Sequence, residues 1–219
     1  MTVWTYVGFV ILAYFMGAIP FGVIIARGKG IDLRQHGSGN IGATNVGRVL
    51  GRKWGYLCFL LDCAKGAIPV LAAGLWLRHQ NAPLDAARQA AWLSVGMLAI
   101  LGHMFSVFVR FRGGKGVATS LGVVLGFYPY FTFAGLAAFG LWIVCVLIWR
   151  YVSLASIVAA IALPICFVLF SHLLGWGLVQ HWPLLAFLVL MASLVILRHR
   201  ANIARLLAGT ENKIGKKQS

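Results

Sequence analysis

"VATSLGVVLGFYPYFTFAGLAAFGLWIVCVLI", residues 117–148, carries no charged side chain from end to end and holds one proline, Pro129. A single helix of about 32 residues would overreach a hydrocarbon core of roughly 30 Å. Pro129 lacks an amide donor and biases Tyr128 away from helical backbone, so the stretch divides there. The first part, about 117–128, is short for a full crossing, whereas the second, about 130–148, is long enough. Whether the two parts count as one crossing or two decides the side on which every later segment emerges.

Working outward, further apolar stretches of helical length lie at about 3–26, 54–77, 91–109, 153–174 and 183–197. Hydrophobic residues make up 61% of the chain and charged residues 11%. A soluble domain cannot cover so much apolar surface with so few polar groups. The opening stretch has no basic residue before its apolar run and is too long for a cleaved signal, so it reads as a first span with its N-terminus outside. Seven crossings then place Arg27, Lys29, Arg34, Arg48, Arg52, Lys53, Arg110, Arg112, Lys115 and Arg150 inside, together with the basic tail from Arg198 to Lys217. Arg78 and Arg88 remain outside. Six crossings would send the tail across the membrane, against the positive-inside rule. The expected fold is an all-α polytopic membrane protein with seven transmembrane helices, the fourth short. Its N-terminus is outside and its C-terminus cytoplasmic, and residues 1–219 form a single domain that functions as a monomer.

Cys58, Cys63, Cys145 and Cys166 all fall in apolar segments without metal-ligand spacing, so no disulfide framework, metal or cofactor is expected. The net charge of +15 reads as an orientation signal and an attraction to anionic membrane lipid, not as a nucleic-acid footprint.

Three polar clusters fall on the inner face in this topology. In "HGSGNIGATNVGR", residues 36–48, Gly37, Gly39 and Gly42 allow backbone N–H groups to converge as an anion nest. Ser38, Asn40, Thr44 and Asn45 add short donors, Arg48 adds a fork suited to phosphate, and Thr44 or Asn45 suits a helix cap. In "RFRGGKGVATS", residues 110–120, Gly116 stands where a nucleotide P-loop needs Ser or Thr, so this is not a Walker motif. Gly113, Gly114 and Gly116 still permit close backbone approach to a phosphate, with Lys115 as a point charge and Arg110 and Arg112 as topological anchors. In "HRANIARLLAGTE", residues 199–211, His199 and Asn202 share a helical face. Within the spans, Asp62 and Lys65 at i, i+3 read as an ion pair, and His103 as either a base or a structural donor. Ser153 and Ser156 enter their span from the inner side.

"SGNIGATNVGR", "DCAKG", "GHMFSVFVRFRGGKGVAT" and "HRANIARLLAGTE" resemble, in order and over nearly the whole chain, the bacterial acyl-phosphate:glycerol-3-phosphate acyltransferases of the PlsY type. The resemblance implies a seven-span inner-membrane enzyme with a cytoplasmic active site. Such an enzyme transfers an acyl group from acyl phosphate to glycerol 3-phosphate, giving 1-acyl-glycerol-3-phosphate (lysophosphatidic acid). It further implies that Ser38, Arg48, Lys115, Ser153, His199 and Asn202 line the glycerol-phosphate site, and that the turn bearing Thr44 and Asn45 holds the donor's phosphate.

The residues suit that chemistry. Two phosphate-bearing substrates call for dense N–H groups and cations, and an acyl phosphate already carries a stable leaving group, so positioning and electrostatics can supply most of the rate. The hydroxyl proton could pass to His103, His199 or the substrate's own phosphate. No histidine is followed by Asp five positions on, which excludes a local His-x4-Asp arrangement. A transporter of organic phosphates is the alternative; transporters, however, tend to place their sites at the midplane between paired repeats, and no repeat is visible here. The topology has a direct check. A cysteine placed at Ser219 should react with a membrane-impermeant reagent only after lysis; labelling of intact cells would overturn the seven-span count.

Overall fold

A computed structural model describes residues 3–81 and 84–214; Lys216, Lys217 and Ser219 of the basic tail fall outside the described residues. The regular elements among the described residues are helices. They are α1 (Val3–Ala18), α2 (Phe21–Arg27), α3 (Ala43–Leu50), α4 (Arg52–His79), α5 (Ala86–Met104), a 3-10 turn (Val107–Val109), α6 (Val117–Gly126), α7 (Thr132–Trp149), α8 (Val152–Leu173), α9 (Trp182–Arg198) and α10 (Arg200–Leu207). They group into two compact units, Met1–Tyr128 and Pro129–Ser219, which meet in sequence at the proline that divides the quoted stretch.

Each of the seven apolar segments is helical. Five of the candidate spans have the length and hydropathy of a full crossing: Trp4–Arg27, Arg52–His79, Ala86–Val109, Thr132–Trp149 and Val152–Leu173. A sixth arises if α9 and α10, bent by 58° at His199, count as one. The ten residues of α6 rise only about 15 Å, half of a hydrocarbon core.

In the first unit, small residues let helices approach backbone to backbone, as expected where surrounding lipid gives apolar faces no reason to prefer one another. A Cβ on Gly17 would overlap the Ala99 carbonyl, and one on Gly102 would overlap the Tyr14 carbonyl, which locks α1 to α5. Gly66 meets Thr119 and Gly122 meets Cys63 in the same way, and these contacts hold short α6 against α4. The Trp92 indole N–H donates to the Val70 carbonyl at 2.8 Å, and its ring lies 4.7 Å from that of Phe127. The Asp85 side chain caps α5 by accepting from Arg88 N–H at 2.9 Å, so this helix begins before the hydropathy of the sequence rises.

The first span is broken at Ile19–Pro20. Proline supplies no N–H, and the freed carbonyls need donors in an apolar setting. Ser106 Oγ donates to the Ala18 carbonyl and Lys65 Nζ to the Ile19 carbonyl, both at 2.6 Å.

In the second unit, Phe131 sits edge-on to Phe167 at 5.5 Å and stacked on Phe187 at 6.1 Å, joining α8 and α9 to the residue that precedes α7. The Trp142 indole N–H reaches Ser156 Oγ at 3.2 Å. Large side chains such as Leu60, Leu75, Leu147 and Ile165 point outward from the helices, as lipid-facing residues do.

Candidate active site

In the first unit, the loop after α2 folds over its own polar residues. Gly37 and Gly39 adopt the left-handed region, with φ of +62° and +67°. Asn45 is buried at 1% exposure, and its side chain ties the loop together. Oδ1 accepts the Ser38 N–H at 2.8 Å while Nδ2 donates to the carbonyls of His36 and Leu33 at 3.1 and 3.3 Å. Asn40 Oδ1 accepts the Gly42 N–H at 2.9 Å and turns the chain into α3. The helix cap is Gly42, with extended backbone and no side-chain bond, so neither Thr44 nor Asn45 caps it. Both lie in the first turn instead. Thr44 is exposed and shares a face with half-buried Arg48 one turn on.

The glycine loop at 110–116 stands beside this one, because Arg34 Nη2 donates to the Arg112 carbonyl at 2.8 Å. Arg110 and Phe111 both take positive φ, at 54° and 58°, which brings the chain back onto the end of α5. There Gly113 N–H donates to the Met104 carbonyl at 3.1 Å and Gly114 N–H to the His103 carbonyl at 3.2 Å. These two N–H groups therefore serve the loop's own closure, a use the phosphate-nest expectation did not include. A Cβ on Gly113 would overlap the His103 carbonyl, and one on Gly114 would overlap the His103 ring. Gly116, at φ +84°, is the N-cap of α6, and half-buried Lys115 precedes it.

His103 is 6% exposed, and its Nδ1 lies 3.8 Å from Asp62 Oδ1. Asp62 pairs with Lys65 at 2.7 Å, as their spacing predicts. A tightly closed cleft is lined by Ile19, Phe21, Ile41, Asp62, Lys65 and His103 among others.

In the second unit, His199 occupies the bend between α9 and α10 and is 2% exposed. Its Nδ1 lies 2.8 Å from the Val195 carbonyl. A carbonyl only accepts, so Nδ1 carries hydrogen and, in the neutral ring, Nε2 is the basic nitrogen. Ser153 and Asn202, both buried, meet at a carboxylate to which sequence reading gave no role. Glu211 Oε1 accepts from Asn202 Nδ2 at 2.6 Å and from Ser153 Oγ at 2.8 Å, and its Oε2 pairs with Arg205 Nε at 2.7 Å. Gly209, at φ +70°, folds the chain back to make this possible. Arg150 and Ile214 fasten the strap by exchanging hydrogen bonds at 2.8 and 2.9 Å. Burial raises the Glu211 pKa, but the hydrogen bonds from Asn202, Ser153 and Arg205, with the Arg205 charge, outweigh it and hold the pKa below the usual glutamate value.

Residues 7–209 match the family of glycerol-3-phosphate acyltransferases. The chain belongs to that family. A glycerol-3-phosphate acyltransferase of Geotalea daltonii is 47% identical over 204 residues, covering 93% of this chain and 94% of that one. Its counterpart in Aquifex aeolicus is 44% identical over 206 residues, covering 93% and 96%. Two crystal structures of PlsY, an integral membrane glycerol 3-phosphate acyltransferase, each cover 96% of both chains. The glycerol 3-phosphate form gives a TM-score of 0.80 at 43% identity, and the lysophosphatidic acid form 0.78 at 42%. The chain is thus a multi-pass bacterial membrane protein.

Two outcomes follow from this geometry. Gly114→Ala and Gly116→Ala should each lose activity far beyond their effect on thermal stability, the first by striking His103 and the second through about 1–2 kcal/mol of left-handed strain in the turn. Gly140→Ala, with nothing within 4 Å of the new methyl, should be nearly silent in both assays. Because its folded pKa is depressed, Glu211 contributes stability that is present above the unfolded value near 4.5 and is lost as pH falls toward the folded one. Thermal melts of Glu211→Gln should therefore be less stable than wild type at neutral pH and flatter below about pH 4.5.

Proposed function

We propose that this chain transfers the acyl group of an acyl phosphate to a hydroxyl of glycerol 3-phosphate, releasing inorganic phosphate and 1-acyl-glycerol-3-phosphate. It does so as one acyltransferase domain of seven crossings over 1–219, acting as a monomer at the cytoplasmic face of the inner membrane. The observation that carries this reading is the family match, which runs through both units, the first two polar clusters and the third as far as Gly209.

The reaction joins two phosphate-bearing molecules, and the polar residues divide accordingly. Ser38, Arg48, Lys115, Ser153, His199 and Asn202 serve glycerol 3-phosphate. The turn of Asn40, Thr44 and Asn45 holds the donor, with Asn45 acting through the loop it ties together. Gly113, Gly114 and Gly116 hold Lys115 in place. The hydroxyl oxygen attacks the acyl carbon, the carbon–oxygen bond to phosphate breaks, and phosphate departs with the electron pair. Donors and cations fixed before the substrates arrive do not have to reorganise as charge moves. The hydroxyl proton passes to a nearby base: the basic Nε2 of His199 suits that task, as do His103 and the substrate's own phosphate.

Purified protein should acylate glycerol 3-phosphate from acyl phosphate and not from acyl-CoA. Vesicles containing it should not accumulate glycerol 3-phosphate. Uptake without acylation would favour the transporter reading, and equal use of acyl-CoA would refute the donor assignment. In the same assay Arg48→Ala and Lys115→Ala should each lose about 100-fold or more in kcat/KM while folding normally. Arg48→Lys should remain substantially impaired, since an ammonium cannot reproduce the guanidinium fork. Near-native turnover by either alanine variant would remove that residue from the phosphate site, and near-native turnover by Arg48→Lys would refute the need for the fork.

A further inference from the structure

Asp62 and Lys65 are 2% and 3% exposed on α4, a helix with the length and hydropathy of a full crossing. Charges so placed in a membrane protein are expensive and as a rule mark function. Part of their presence has a structural account: Lys65 caps the Ile19 carbonyl at the break in the first span and lies 5.6 Å from the Phe21 ring. A neutral donor would serve that carbonyl equally well. Lysine with a dedicated aspartate is more than the break requires, so what else Asp62 touches is informative. Its Oδ2 lies 3.7 Å from the Cys58 thiol, and its Oδ1 faces both Lys65 at 2.7 Å and His103 Nδ1 at 3.8 Å.

His103 links that pair to the glycine loop in two ways. Its carbonyl accepts the Gly114 N–H, and its ring lies so close to Gly114 that a Cβ there would overlap Nε2. One imidazole nitrogen thus faces the carboxylate while the other faces the residue before Lys115. Asp62 on α4 and His103 on α5, 41 positions apart in sequence, thus approach within 3.8 Å, a proximity that no local motif announces.

We propose that Asp62, anchored by Lys65, is a positioning residue that sets the His103 ring against Gly114 and so fixes the Lys115 loop for substrate phosphate. This rests on the placement of that loop in the active site under Proposed function.

Removing either charge alone would strand the other in a dry interior and confuse folding with function. The test is therefore the paired neutral variant, Asp62→Asn with Lys65→Gln, which keeps a neutral donor for the Ile19 carbonyl, compared with His103→Gln and with all three changes together. The paired variant should melt near the wild-type temperature yet lose about tenfold or more in kcat/KM, chiefly through KM for glycerol 3-phosphate, as should His103→Gln. The triple variant should be no worse than either, since the groups act in series. Native kcat/KM in the paired variant, or losses that multiply in the triple variant, would overturn the proposal. His103→Phe decides the matter if the paired variant does not fold. That ring keeps the bulk against Gly114 but gives up the contact with Asp62, so a tenfold rise in KM for glycerol 3-phosphate at unchanged kcat and melting temperature supports the proposal, and native activity or a loss confined to kcat overturns it. Lys115→Ala is assayed alongside. If it is inactive while the paired variant or His103→Phe is native, only this inference fails; if Lys115→Ala is itself native, the loop's place in the site fails first.

Discussion

A backbone that leaves helical geometry inside an apolar segment must find partners for the groups it frees, and the first unit is organised around that requirement. The break at Ile19–Pro20 leaves two carbonyls in need of donors, and Ser106, in the turn after α5, and Lys65, on α4, meet them. Those donors can arrive only because Gly17, Gly102, Gly66 and Gly122 let the helix backbones approach so closely. The break also turns the chain toward the long polar loop that carries Ser38 and leads into Asn45 and Arg48 on α3. One unsatisfied turn of helix thus links the packing of four helices to the position of the chemistry.

The polar loops are held from behind by ordinary hydrogen bonds. Asn45 is spent on its own loop, Gly113 and Gly114 on the end of α5, and Arg34 on the joint between the two loops. This division of labour suits a reaction whose leaving group is already stable, because catalysis then depends on charges that are fixed before substrate arrives. In the second unit Glu211 does the corresponding work, gathering Ser153, Asn202 and Arg205 about one carboxylate.

Much of this was legible in the sequence, and the gaps have physical causes. The helical segments followed from hydropathy and from Pro129, since the bilayer imposes length so strongly. The start of α5 was placed late because polar Arg88 and Gln89 masked it, although Asp85 was a visible capping signal. Cap chemistry misled at α3: Thr44 and Asn45 are good capping residues, but Asn40 turns the chain earlier and leaves the cap to Gly42. The Asp62–Lys65 pair was readable because i, i+3 spacing is local, whereas its approach to His103 depends on how two helices pack. Glu211 was missed for a similar reason, because the fold-back at Gly209 obeys no helical period.

The i, i+3 pair on α4 has a consequence for biosynthesis. Asp and Lys near the centre of a spanning helix each oppose insertion by about 2.5–3.5 kcal/mol when judged alone. Asp62 and Lys65 neutralise one another as soon as their own turn of helix forms, before α5 or α6 has been synthesised. The Ile19 carbonyl that Lys65 caps belongs to a segment synthesised earlier still. The segment can therefore enter the bilayer with its charges already compensated by itself and by what precedes it. His103 meets a carboxylate that is in place before it arrives.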